Sequence, residues 1–97
     1  MAFAIDVRCE CGESLSDDDV ARFNATFRPL DELVCAWVSE DEAETLRIEF
    51  DVEAADFESA TGIAIREVES AAQQSELPGE VVEVIAMTED GQTRWKR

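Results

Sequence analysis

The sequence predicts a single α+β domain, a two-layer sandwich in which a four-stranded antiparallel sheet carries two helices on one face. Three observations indicate this class. The chain has 97 residues, which is enough for one hydrophobic core and too few for two. Its apolar share of 45% supplies the side chains for that core. Segments with strand-like and helix-like hydrophobic periodicity follow one another in the order β-α-β-β-α-β.

The first two predicted elements are a strand near residues 3–9 and a helix near residues 17–27. Ser16 and Asp19 have the spacing of a capping box, in which each residue bonds the backbone N–H of the other at a helix start. Apolar side chains alternate along the strand and recur at helical spacing along the helix: Phe3, Ile5 and Val7, then Val20, Phe23 and Phe27. Both segments therefore have one face suited to a core.

The middle of the chain predicts a hairpin followed by a longer helix. Strands near 33–38 and 46–52 are joined by an acidic polar connection. Asp56 is suited to cap a helix near 57–75, and Gly62 falls on its solvent side. The apolar stripe of this helix consists of small side chains for the most part: Phe57, Ala60, Ala64, Val68, Ala71 and Ala72.

The C-terminal part predicts a last strand near 80–87, with Val82, Val84 and Ala86 facing the core. Asp90 and Gly91 form a turn signal. We therefore divide the chain into a domain over 1–91 and a basic segment, 92–97, that is either a tail or a short edge strand.

The order of these elements resembles the ferredoxin-like fold. Right-handed βαβ crossovers then predict that strand one lies between strands three and four.

Charge excludes several classes of partner. There are 24 acidic against eight basic residues, a formal net charge of −16. Such a body repels phosphate backbones and anionic membranes, so we expect no direct binding of nucleic acid and no binding to membranes. A basic protein partner is permitted, including a nucleic-acid-binding protein for which the carboxylates imitate DNA phosphates. The alternative is that the charge serves only solubility or a salty cytoplasm.

Missing residue types exclude most catalytic chemistry. The chain has no His, and its single Lys is Lys96. Ser–His–Asp and Cys–His catalysis, His metal sites and a core Schiff base are thereby excluded within one chain. We expect no enzyme and no cofactor. The N-terminus shows neither a basic segment nor a long apolar one, so the expected location is the cytoplasm.

Cys9 and Cys11 are the only candidates for metal binding. They lie at the end of the first strand, where they resemble the metal loop of heavy-metal-associated domains, although here the spacing is Cys-x-Cys. Residues i and i+2 of a strand share a face, so both thiols can point at one soft cation, with Cys35 or Glu10 as a third ligand. The alternative is that the thiols are small apolar plugs that continue the face of Phe3.

The uncovered face of the predicted sheet is the candidate interface. Val81, Ile85 and Met87 are expected on one flank of it, Arg47 near its middle, and Trp95 in the basic segment beside it. Apolar side chains grouped on an open sheet face favour a covering partner. The sequence therefore predicts a non-catalytic protein-interaction module that forms a homodimer through this face.

Two segments, Leu46–Ala55 and Glu80–Glu89, are similar to small uncharacterised proteins of high-GC actinobacteria and their phages. That resemblance implies the same fold pattern and carries no assigned activity.

Overall fold

A computed structural model describes residues 1–27, 35–38 and 40–97 and contains one antiparallel sheet and two helices. The elements are β1 (Ala2–Glu10), α1 (Asp17–Phe27), β2 (Cys35–Val38), a 3₁₀ turn (Glu40–Glu42), β3 (Thr45–Glu53), α2 (Phe57–Gln74), β4 (Glu80–Thr88) and β5 (Gly91–Lys96). The strand order is β2-β3-β1-β4-β5, so the predicted position of strand one between strands three and four is confirmed. Positions 33 and 34 of the strand predicted near 33–38 lie outside the described residues.

The sheet has five strands rather than the four of the predicted sandwich, and the fifth corresponds to the edge-strand alternative for residues 92–97. The chain reverses over Glu89 and Asp90, and Thr88 then pairs with Gly91. From there the C-terminal segment pairs with β4 as far as Lys96 opposite Glu83. This segment is too polar for its hydrophobic pattern to identify a strand, but the two-residue turn brings it back along β4.

Both helices pack on the same face of the sheet. Phe57 of α2 meets Phe3 of β1 edge to face, with ring centroids 5.1 Å apart. Phe27 of α1 meets Phe50 of β3 in the same way, also at 5.1 Å. The odd-numbered side chains of β1 and the even-numbered ones of β3 join the helices in one core, and no element in the described part of the chain covers the other face of the sheet.

The helix starts are those that the sequence predicts. The Ser16 hydroxyl accepts from Asp19 N at 3.2 Å, and the Asp19 carboxylate accepts from Ser16 N at 2.9 Å, which completes the capping box. The Asp56 carboxylate accepts from Ser59 N at 2.8 Å. These caps depend on side chains only three residues away, so local sequence is sufficient to predict them.

A β-bulge in β4 reverses two of the predicted orientations. Arg8 lies opposite Glu83, but Cys9 lies opposite Val81, so the register shifts between them and Val82 is the extra residue. Val81 is fully buried in the core, whereas Val82 is half-buried. The predictions that Val81 faces outward and that Val82 faces the core are therefore wrong, because strict alternation holds only for a regular strand.

Among the described residues no helix is both long and apolar enough to cross a membrane.

Candidate functional site

The face of the sheet that carries no helices, called here the open sheet face, presents its side chains in three rows across the strands. The basic row contains Trp37, Arg47, Arg8, Glu83 and Lys96. The middle row contains Glu49, Asp6, Ile85 and Arg94. The outer row contains Asp51, Ala4, Met87 and Gln92. Four of the basic residues that the structure describes thus lie on this one face.

The cations on this face have fewer carboxylate partners than a full set of ion pairs would give them. Glu83 is the acceptor for two cations, Arg94 Nε and Lys96 Nζ, each at 3.7 Å. Arg8 and Arg47 are directly opposite each other on β1 and β3, an arrangement that like charges disfavour. Three cations of the basic row accompany a single carboxylate, which contrasts with the acidic body of the molecule.

The two arginines each have a carboxylate partner but retain an unused donor. Arg8 Nη2 lies 2.7 Å from Glu42 Oε2, and Arg47 Nη2 lies 3.9 Å from Asp6 Oδ2. Within the part of the chain that the structure describes, the Nε atom of each arginine is buried and has no hydrogen-bond partner. Such donors favour a further acceptor at this position.

Asp6 is the carboxylate most affected by its position on the open sheet face. Burial raises its pKa above the ordinary value, and Glu83 adds to this, although Arg47 and Arg8 act in the opposite direction. Ionised Asp6 is therefore incompletely compensated, and a cation from outside the chain would stabilise it.

The structure distributes the five predicted interface residues over three places. Ile85, Met87 and Arg47 lie on the open sheet face, and all three are half-buried. Val81 is in the core. Trp95 pairs with Val84 and faces the helix side, where it packs against the core. The turn at Asp90 and Gly91 could have indicated this, because it puts Trp95 opposite a core residue.

Most members of the open sheet face were not among the predicted interface residues. Four examples are Trp37, Glu83, Arg94 and Lys96. Glu83 alternates with core residues of β4 and could have been found from that pattern. The two cations on β5 required the register of the last hairpin, which is fixed only by pairing with β4.

The thiols of Cys9 and Cys11 lie inside the protein. Both residues are buried, and Cys11 Sγ lies 3.9 Å from the Cys9 carbonyl oxygen, to which it donates. A Cβ atom built on Gly79 would lie 2.7 Å from Cys9 Sγ and 3.7 Å from Cys11 Sγ. The thiols therefore fill the space beneath the connection from α2 to β4.

Their environment favours the apolar alternative over the metal site. Hydrogen bonding between the two thiols and burial both raise the pKa of the Cys9 thiol far above its ordinary value, whereas the same hydrogen bonding lowers the pKa of the Cys11 thiol. The thiolate that a soft metal needs is therefore disfavoured at Cys9. Glu10 is exposed, and the Cys35 side chain lies outside the described residues. Within the described residues, no group of three or more His, Cys, Asp or Glu side chains is placed to hold a metal ion.

Comparisons of the chain with protein-family models, with curated proteins and with solved structures found no match. On geometry alone, the open sheet face is the stronger candidate site, because it is accessible and carries charge, whereas the thiols are enclosed.

Proposed function

We propose that this chain is a non-catalytic interaction module that self-associates, with a second copy packed on the open sheet face. The observation that carries the proposal is the separation of charge along that face. Cations dominate the basic row, the carboxylates Asp6 and Glu49 share the middle row with Arg94, and Asp51 lies in the outer row. Arg47 and Asp51 are therefore opposite charges at the two ends of the face, on the same strand.

A two-fold axis that runs across the strands along the middle row exchanges those two ends. It lays the basic row of one copy over the outer row of the other, so that Arg47 approaches Asp51 of the second copy. Ile85 lies on the middle row and meets Ile85 of the second copy near the axis. Isologous contact of this kind is the usual geometry of homodimers.

The area of the face is sufficient for a moderate interface. Strands are about 4.8 Å apart and rise about 3.3 Å per residue, so strands of these lengths cover roughly 600 Å² per copy. Specific interfaces start at about 1,000–1,200 Å² for both partners together. The proposed dimer is therefore at the lower end of stable interfaces.

Net charge opposes association and determines its dependence on salt. Two bodies of charge −16 repel each other at long range. Dissolved salt screens this long-range repulsion first, because the Debye length is about 10 Å at 0.1 M and contacts within the interface are closer than that. Added salt should therefore strengthen the dimer.

Sedimentation equilibrium at low and high salt tests the proposal, with Ile85→Glu as the interface variant. Ile65→Glu is the matched control, because Ile65 is also half-buried but lies on α2, on the helix side. We expect the wild type and the control to dimerise through this face, more tightly at high salt, and Ile85→Glu to lose that contact. A monomeric wild type at every salt concentration would refute the proposal. An Ile85→Glu protein that associates as tightly as the wild type would place the contact elsewhere.

We further propose that β1 to β4 with the two helices are a ferredoxin-like sandwich to which β5 is added. The neighbouring order β2-β3-β1-β4 and the packing of both helices on one face support this assignment. It accounts for the open face, since such sandwiches cover only one side of their sheet.

A further inference from the structure

The two edges of the sheet differ in whether their backbone groups are satisfied. At the β2 edge, the side-chain amide of Asn24, on α1, forms two hydrogen bonds with the backbone of one residue. Asn24 Nδ2 donates to the Ala36 carbonyl oxygen at 3.2 Å, and Asn24 Oδ1 accepts from Ala36 N at 3.2 Å. The amide thus takes the place that a neighbouring strand would occupy, which blocks pairing of this edge with another chain.

The β5 edge has no such cover among the described residues. Arg97 N donates to Val82 O at 3.0 Å, and hydrogen-bonded pairs alternate along an antiparallel ladder, so the odd-numbered residues of β5 bond β4. The backbone groups of Gln92, Arg94 and Lys96 therefore point away from the sheet. Within the described parts of the chain, none of their N–H or C=O groups has a hydrogen-bond partner on that side.

Charge is distributed unevenly along β5. The turn that precedes it contains Glu89 and Asp90, both exposed. Its C-terminal half carries Arg94 and Lys96, which are also exposed. A segment that is acidic in the turn at its start and basic at its end is complementary to an antiparallel copy of itself, because opposite charges across strands stabilise pairing and like charges destabilise it.

We propose that β5 pairs antiparallel with β5 of a second copy, about a two-fold axis at Thr93, to form one continuous ten-stranded sheet. In this register Gln92 lies opposite Arg94 of the second copy, and Lys96 lies opposite its Asp90. On the helix side, Trp95 covers Gly91 of the second copy, where a ring can protect a strand glycine. A register centred on Arg94 would instead place that arginine opposite itself.

This contact is separate from the one on the open sheet face. Its axis is perpendicular to the sheet, whereas the axis of the proposed face-to-face dimer lies along the sheet. Either contact alone gives a dimer, and the two contacts together close into a tetramer only if their axes intersect. The edge contact can therefore be tested in the Ile85→Glu protein, whether or not the face contact exists.

The first test is a charge exchange followed by sedimentation equilibrium, in the wild type and in Ile85→Glu. Asp90→Lys or Lys96→Glu alone places like charges opposite each other at both ends of the paired strands, and should weaken association about tenfold or more. Asp90→Lys with Lys96→Glu restores opposite charges, keeps the net charge and should restore association. The Asp90 side chain accepts no hydrogen bond in the turn, where Asp90 N donates to Thr88 Oγ1 at 3.2 Å.

Single variants that associate like their parent, or a double variant that stays dissociated, would overturn this register.

The second test is amide hydrogen exchange of the Ile85→Glu protein at low and high protein concentration. The amides of Gln92, Arg94 and Lys96 should become protected only at high concentration, whereas those of Thr93 and Trp95 should be protected at both. Exchange at the three outward amides that does not depend on concentration would refute the pairing. Protection that appears only on addition of a cell extract would also refute it and would assign this edge to a different protein.

Discussion

Gly79 and Gly62 occupy opposite environments, although neither requires the left-handed backbone that favours glycine. Gly79 follows α2 at a point where the connection crosses the two thiols of β1, and an added Cβ would lie 2.7 Å from Cys9 Sγ and 3.1 Å from Ala72 Cβ. Gly62 lies on the exposed side of α2, where an added Cβ would meet nothing within 4 Å. The first glycine is required by packing, and the second weakens its helix.

We predict opposite effects of the same substitution at these two positions. Gly79→Ala should lower the free energy of unfolding by about 1–3 kcal/mol, because the buried thiols have little room to move. Gly62→Ala should raise it by about 0.5–1 kcal/mol, because alanine forms helix more readily than glycine. Urea unfolding followed by circular dichroism measures both. Equal effects of the two substitutions would show that the close approach at Gly79 does not constrain the fold.

The sequence pattern predicts the position of one of these glycines and not of the other. Helical periodicity is a local property, and it put Gly62 on the solvent side, where the structure has it. The contact of Gly79 with Cys9 joins positions about 70 residues apart, and no local pattern contains it. The same limit applies to the thiols, for which the sequence left a metal site and an apolar plug as alternatives.

At the scale of elements, the features that the sequence predicted correctly are those determined by residues close together in the chain. The two caps, the helices and the order of the first four strands all follow from residues within a few positions of one another. The bulge at Val81 does not, because it arises from the pairing of β4 with β1. Trp95 likewise lies on the helix side because β5 pairs with β4. For this reason the positions expected for Val81 and Trp95, on or beside the open sheet face, differ from those in the structure.

The bulge itself can be tested by comparing neighbouring valines. Val81→Ala should lower the free energy of unfolding by about 2 kcal/mol, because it removes two methyl groups from a fully buried position opposite Cys9. Val82→Ala is the matched control, and it should cost less than about 1 kcal/mol because Val82 is half-buried on the other side of the strand. Chemical unfolding at equal protein concentration gives both values. A larger loss of stability for Val82→Ala than for Val81→Ala would contradict the bulge and indicate a regularly alternating strand.

At the scale of the whole molecule, the large excess of acidic side chains destabilises the compact fold. The chain has three acidic residues for each basic one, and the first turn of α1 alone contains Asp17, Asp18 and Asp19. Four of the described basic residues lie on the open sheet face, so the described carboxylates elsewhere have few cations near them. Self-repulsion of such a surface destabilises the compact state. Salt and partial protonation should both reduce that repulsion.

We therefore predict that stability has its maximum at mildly acidic pH, and that added salt raises the melting temperature at neutral pH. Burial raises the pKa of Asp6, so the contribution of this carboxyl to stability is present below about pH 4 and is lost as the pH rises through its folded-state pKa. Hydrogen bonds from the backbone of Ser16 and Ser59 lower the pKa values of Asp19 and Asp56. Their contributions are present at higher pH and are lost as the pH falls below about 4.

Thermal unfolding between about pH 3 and pH 7 separates these effects through two variants. Asp6→Asn should flatten the rise in stability on going from neutral to mildly acidic pH. Asp56→Asn keeps a side-chain oxygen for the N–H of Ser59 but does not titrate, so it should flatten the loss at the acidic end. The wild type at low and high salt completes the set. If stability fell steadily from pH 7 downward and did not respond to salt, self-repulsion would not be the dominant electrostatic effect in this molecule.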